Sequence, residues 1–225
     1  ALKTGNSIVI APSPKGAGAL NKLLAIIHEN LEKIGLDKDL VQMVPTPPSK
    51  AKTQHLMELA DLLVVTGSPN NVRAGYSSGT PALGVGQGNV VTIIDETADL
   101  KQAAAKISAS KTFDNATSCS SENSVVILRE VYEDAVRAFE QEGGLLLNKT
   151  ESDHLVATHW YEGKITRALL AQDIEVIIEN LGLEERGNNT TKFLMVPTNQ
   201  AGPEAILSGE KMSRFFALYV AENFD

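Results

Sequence analysis

A single cysteine, few aromatic residues and no long apolar run set the first limits on this 225-residue chain. The lone thiol, Cys119, has no partner within the chain for a disulfide, so the fold must rest on a packed core and not on covalent staples. The four histidines, His28, His55, His154 and His159, are scattered without zinc spacing, and no metal is expected. No apolar stretch approaches the ~20 residues that cross a bilayer. The N-terminal segment also lacks the charged, apolar and small-residue blocks of a signal peptide, so a reducing, cytoplasmic setting and no membrane partner are expected. The Asn-x-Ser/Thr matches at Asn115, Asn148, Asn188 and Asn189 are then read as chance. Basic charge is in deficit as well. With 20 Lys and Arg against 28 Asp and Glu, a net charge of −8 and no basic stripe, a nucleic-acid partner is excluded.

What is present suffices for a globular protein. Hydrophobic residues make up 43% and charged residues 21%, enough to bury a core in one large or two modest domains. Ser7 to Ala11 is a β-branched run stopped by Pro12 and Pro14, and reads as a strand. A helix follows, with Ala19, Leu23, Leu24, Ile27, Leu31 and Ile34 at helical spacing and Gly35 to end it. Val41 to Val44 is a second strand, Ser49 caps a helix reaching Ala60, Leu62 to Val65 is a third buried-type strand, and Ala82 to Val85 a fourth. This alternation predicts a parallel sheet with helices on both faces.

From Asn89 the pattern restarts. A strand at Val90 to Ile94, a helix from Ala98 to Lys111, the Cys119 loop, a strand at Val125 to Leu128 and a helix near Tyr132 to Glu140 read as a second domain. Lys164 to Leu181 is amphipathic and predicts a further helix; Gly187 to Asn189 is a turn, and Phe193 to Val196 a strand. The domains are therefore expected at 1–88 and 89–225. Ala1 is not an initiator and leads almost at once into a strand, so the sequence reads as a piece of something longer.

Three segments invite a chemical reading. Cys119 lies in SKTFDNATSCSSENS, among small polar residues, where a reactive thiol and an inert loop thiol are both admissible. Thr66-Gly67-Ser68 follows a strand and precedes a helix, so its backbone N–H groups suit a phosphate or simply make a capped turn. GVGQGN, Gly84 to Asn89, is no GxGxxG fingerprint because no helix follows it, and its glycines also fit a bend between strands or domains.

Taken together, TGSPNNVRAGYSSGTPALGVGQGN, IIDETADL and SKTFDNATSCSSEN resemble the aldehyde dehydrogenase superfamily, specifically its coenzyme A-acylating branch of acetaldehyde dehydrogenases and the aldehyde half of bifunctional aldehyde/alcohol dehydrogenases, with a specialised sulfoacetaldehyde or semialdehyde dehydrogenase as the alternative. The resemblance runs from Ala1 to Asp225, is weakest between Gly143 and Gly209, and implies a central fragment of a chain about twice as long. It implies an α/β fold, a parallel-sheet dinucleotide-binding domain joined to an α/β catalytic domain, both incomplete. Cys119 would be the catalytic thiolate, which attacks the aldehyde and carries the acyl group as a thioester. Ser13 and Pro14 would lie beside the adenosine of NAD (NADP being the alternative), Gly67 and Ser68 along its pyrophosphate, and Glu210 on its nicotinamide ribose. Arg214 departs from the family's usual proline near Glu210.

Gly84 is the informative substitution. Hydrolytic members carry there a glutamate that activates water, and glycine offers no base. The implied reaction is thus transfer of the acyl group to coenzyme A, in a homo-oligomer when full-length. The Cys119 N–H would be one oxyanion donor; the second, an asparagine in the family, falls upstream of Ala1, so little turnover is expected from this chain alone. Competing readings are a hydrolytic aldehyde dehydrogenase with its base elsewhere, and a non-catalytic nucleotide-binding or structural fragment.

Overall fold

The computed structural model describes residues 1–86, 88–161 and 163–224, so Gln87 of the GVGQGN stretch lies outside the described residues. The chain divides into two compact units, Ala1–Gly86 and Gln87–Asp225.

The first unit contains β1 (Ile8–Ile10), α1 (Ala17–Lys33), β2 (Val41–Met43), α2 (Lys50–Leu59), β3 (Leu63–Thr66), α3 (Pro69–Tyr76) and β4 (Ala82–Val85). Its caps follow the sequence signals: Ser49 Oγ accepts the Lys52 N–H at 3.3 Å and Ser68 Oγ that of Asn71 at 3.4 Å. Leu24 and Leu31 of α1 pack with Val41 of β2, which fixes that helix against its strand pair. Strands β1 and β2 pair in parallel, as do β3 and β4, and no ladder joins the two pairs among the described residues. Val9, Val64 and Leu83 are exposed, Val64 by 71%, so the described residues of this chain leave one face of each pair uncovered.

The second unit is built on a five-stranded parallel sheet. Its strands are β5 (Val90–Ile94), β6 (Glu122–Leu128), β7 (Gly144–Leu146), β10 (Phe193–Pro197) and β11 (Phe215–Ala221), in the order β5-β6-β11-β10-β7. The helices are α4 (Leu100–Thr112), α5 (Tyr132–Gln141), α6 (Lys149–His159) and α7 (Ile174–Leu181), and a small antiparallel pair is formed by β8 (Trp160–Tyr161) and β9 (Lys164–Ile165). Period-two alternation sorts the central strands between two cores. Phe193, Met195, Phe216 and Leu218 join α4 and α5 on one face, while Leu194, Val196, Phe215 and Ala217 join α7 on the other. Phe139, Phe193 and Phe216 stack in the first of these cores with ring centroids 5.5 to 6.3 Å apart.

The helix expected over Lys164 to Leu181 is shorter than its apolar pattern implied. Lys164 and Ile165 pair with β8, and α7 starts only at Ile174. Ala171 is left-handed, φ 56, and its N–H goes to the Met212 carbonyl at 2.8 Å and not to a helical partner. Leu169 nevertheless reaches the same core as Ile174 and Ile177. A common burial target had produced a helix-like spacing without a continuous helix.

Candidate active site

Cys119 sits on an exposed turn between α4 and β6. The turn closes by the Ser121 N–H to Ser118 carbonyl bond at 3.0 Å and is tightened by a 2.9 Å contact between the Ser118 and Ser120 hydroxyls. Small polar residues serve here because their side chains satisfy the turn's own backbone groups. The Cys119 N–H meets no acceptor among the described residues, and it stands at the thiol it would serve.

The chain reaches this turn through a strained approach. Asp114, Asn115 and Ala116 are all left-handed, with φ of 48°, 51° and 59°. Such consecutive αL residues each cost about 1 kcal/mol and persist only where the surroundings fix them. Asn115 supplies that restraint, donating to Ala171 O at 3.3 Å and Asp173 Oδ1 at 3.0 Å, while Thr117 Oγ1 bonds both the carbonyl and the carboxylate of Asp114 at 2.7 Å.

Behind the turn the packing is tight. A Cβ on Gly88 would lie 2.4 Å from the Cys119 carbonyl oxygen, so only glycine lets these backbones approach. The ladder between β5 and β6 shifts register between Val90 and Val91, which face Glu122 and Ser124 and leave Asn123 as the extra residue. Bulges of this kind re-aim a side chain beside functional sites. Asn123 is buried; its Nδ2 makes long contacts to Gly88 O at 3.5 Å and Ser121 O at 3.4 Å, and its Oδ1 accepts the Lys211 N–H at 3.0 Å.

Two buried lysines close on the same segment. Lys111 Nζ donates to Glu122 O at 2.7 Å and Ser121 Oγ at 3.3 Å; burial lowers its pKa to about 7, against the opposing charge of Glu122. Glu122 itself keeps one buried carboxylate oxygen without a hydrogen-bond partner among the described residues. Burial first, and the Lys111 charge second, lower Lys211 to about 7. Its Nζ nonetheless donates to Leu207, Gly209 and Asn123 carbonyls at 2.6, 2.9 and 2.8 Å, a shell that matches the three donors of an ammonium and resists loss of the charge.

The remaining residues singled out in the sequence fall as follows. Glu210 is half-buried between Gly209 and Lys211, with no hydrogen-bond or ion-pair partner for its carboxylate among the described residues. Nearby, Arg214 keeps a buried Nε without a partner. In the first unit, Gly67 (φ 120) and Ser68 form the turn from β3 into α3, Ser13 Oγ accepts the Gly16 N–H at 3.1 Å ahead of α1, and Pro14 is exposed. Gly84 lies within β4. A Cβ there would stand 2.5 Å from Val72 Cγ1 and 2.8 Å from Tyr76 Cε2. A cleft of about 660 Å³ in the second unit is lined by residues such as Asn89, Ser124, Ser208, Gly209 and Tyr219, and not by Cys119.

Sequence reasoning missed Lys111, Lys211 and Asn123. A signal for the first was available: Ala104, Ile107, Ser108 and Lys111 share the buried stripe of α4 at helical spacing.

A family model described as aldehyde dehydrogenase family matches residues 1–146. Among curated proteins, a sulfoacetaldehyde dehydrogenase (acylating) of Cupriavidus necator is 47% identical over 224 residues, covering 100% of this chain and 45% of that protein. An aldehyde-alcohol dehydrogenase of Clostridium acetobutylicum is 34% identical over 224 residues, 100% of this chain and 26% of its own length. The crystal structure of an acetylating aldehyde dehydrogenase from Geobacillus thermoglucosidasius is similar with TM-score 0.91 at 32% identity, over 99% of this chain and 49% of that one. The chain thus spans about half or less of the length of these relatives. A match over well more than half of its residues, together with the shared α/β architecture, shows that this chain belongs to the aldehyde dehydrogenase family.

Proposed function

We propose that the protein bearing this chain oxidises an aldehyde with NAD and passes the acyl group to coenzyme A, with Cys119 as the nucleophile. The observation that carries this reading is Cys119 itself, an exposed thiol on a built turn whose own N–H meets no acceptor among the described residues. The Cys119 thiolate attacks the carbonyl carbon; the new C–S bond leaves the carbonyl oxygen as an alkoxide, toward which the Cys119 N–H is available to donate. The chemistry that bound NAD would supply is acceptance of the hydride from that carbon. The product on Cys119 is a thioester. Coenzyme A thiolate then adds to its carbonyl, the bond to Cys119 breaks, and the cysteine thiolate is regenerated with an acyl-CoA as product.

Two features favour coenzyme A over water at the last step. Gly84 supplies no carboxylate, and Val72 and Tyr76 already occupy the space into which a side chain there would start. The Cupriavidus relative is named acylating. The turn at Gly67 and Ser68, the exposed Ser13 and Pro14 after β1, and the half-buried Glu210 carboxylate would hold the dinucleotide. The positive φ of Gly67 fits this: a glycine there keeps the end of β3 open to a phosphate. Sulfoacetaldehyde is the first substrate to test, because the relative of 47% identity bears that name.

The test uses a polypeptide of the relatives' length that contains this chain, supplied with aldehyde, NAD and coenzyme A. Acyl-CoA formed in step with NADH, and abolished by Cys119→Ser, is the expected result. Release of mainly free acid in the presence of coenzyme A would overturn the acylating assignment. Iodoacetamide is the companion probe: an activated Cys119 reacts faster than a model thiol at neutral pH, and equal rates would favour an inert module.

A further inference from the structure

We propose that Lys211 is a positioning residue that fixes the Glu210 loop against the segment following Cys119, with Asn123 as the joint between them. The inference rests on the reading of Cys119 as the nucleophile.

Lys211 is 1% exposed, and its side chain touches two separate stretches of chain. The Leu207 and Gly209 carbonyls belong to the loop that carries Glu210, whereas the Asn123 carbonyl belongs to β6, just past the cysteine turn. The backbone repeats the connection, since the Lys211 N–H donates to Asn123 Oδ1 at 3.0 Å. A leucine or methionine would fill the volume without the several kcal/mol that desolvating a cation costs. It would also leave three buried carbonyls converging on nothing. What the ammonium adds is therefore geometric: it draws three carbonyls from two segments to one point.

From Asn123 the connection runs on to the thiol. The bulge frees the Asn123 side chain to reach the carbonyls of Gly88 and Ser121. Gly88 backs directly onto the Cys119 carbonyl, and Lys111 holds Ser121 and Glu122 from the opposite side. The three residues Ser121, Glu122 and Asn123 are thus gripped between two buried lysines. Such an arrangement is costly for stability and is well suited to fixing one geometry.

The experiment is the iodoacetamide rate at Cys119 against pH, read by mass spectrometry in a polypeptide of the relatives' length that contains this chain, with Lys211→Met, Asn123→Ser and the double variant, each below its melting temperature. Lys211→Met should slow alkylation about tenfold and change its pH profile, because the rate follows the access of the thiolate and the groups around it, which this segment holds in place. Asn123→Ser should move both in the same direction. The double variant should be no slower than Lys211→Met alone, because both act through one connection. A residue that only stabilises the fold would lower the melting temperature and leave the profile of the folded protein unchanged; that result, or additive effects in the double variant, overturns the proposal. Should Lys211→Met fail to fold, Asn123→Ser decides alone, and an unchanged profile there overturns it. A parent Cys119 no faster than a free cysteine peptide would defeat the nucleophile reading and this inference with it. A fast parent with unaltered variants defeats only the role of Lys211.

Discussion

The Tyr76 hydroxyl accepts the Gly84 N–H at 3.0 Å, and its ring stands where a side chain at position 84 would begin. The glycine is required by its surroundings. Gly84→Glu is therefore expected to destabilise the chain by about 1–3 kcal/mol, the usual cost of overpacking. Chemical denaturation measures it, and trimming Val72 or Tyr76 to alanine should restore part of the loss. A Gly84→Glu variant as stable as the parent would show that β4 yields easily.

Gly88 is constrained by backbone and not by a side-chain tip. Its missing Cβ would meet the Cys119 carbonyl oxygen at 2.4 Å, and a carbonyl in a hydrogen-bonded turn has little freedom to retreat. Gly88→Ala should cost about 1–3 kcal/mol and change the alkylation rate of Cys119. Thermal unfolding and mass-spectrometric labelling separate the two effects.

At Asn115 the left-handed backbone and the side-chain bonds to Ala171 and Asp173 act together. Asn115→Ala loses the bonds and retains the unfavourable φ, for an expected loss of about 1–2 kcal/mol. Asn115→Gly loses the bonds but relieves the strain. Its loss should be smaller, and the reverse order in denaturant melts would refute the account.

Burial of Lys111 makes stability depend on pH. Its pKa falls from 10.5 to about 7 on folding, so below pH 7 both states carry the proton and the burial penalty is fully present. Between these values the unfolded chain binds more protons, and stability rises with pH by up to ~1.4 kcal/mol per unit. Lys211 adds less, because its three carbonyls retain the charge. Unfolding free energies at pH 7.5 and pH 9 should differ in this direction, and Lys111→Met should flatten the difference.

Much of the architecture was legible locally. Ser49 and Ser68 cap the helices they precede, and β4 and β5 occupy the residues expected from their apolar runs, because caps and period-two burial are written within a few neighbouring residues. Glu122 to Ser124 were not read as strand, since their polar character hides a sheet position held by a bulge and two lysines. The same polarity marked Cys119 as a loop thiol and gave no sign of what braces it.

By itself, the sequence determined the order of strands and helices as far as Glu140, the family motifs, the lone thiol and the lack of a side-chain base at Gly84. Those are properties of residue type and short spacing. Only the tertiary structure decided that the helix-like pattern before Ile174 breaks at Ala171, and that Lys111 and Lys211 meet at the segment after Cys119. Each of these depends on which distant carbonyl, cation or side chain arrives at a given point, and Lys211 lies 88 residues from the asparagine it holds.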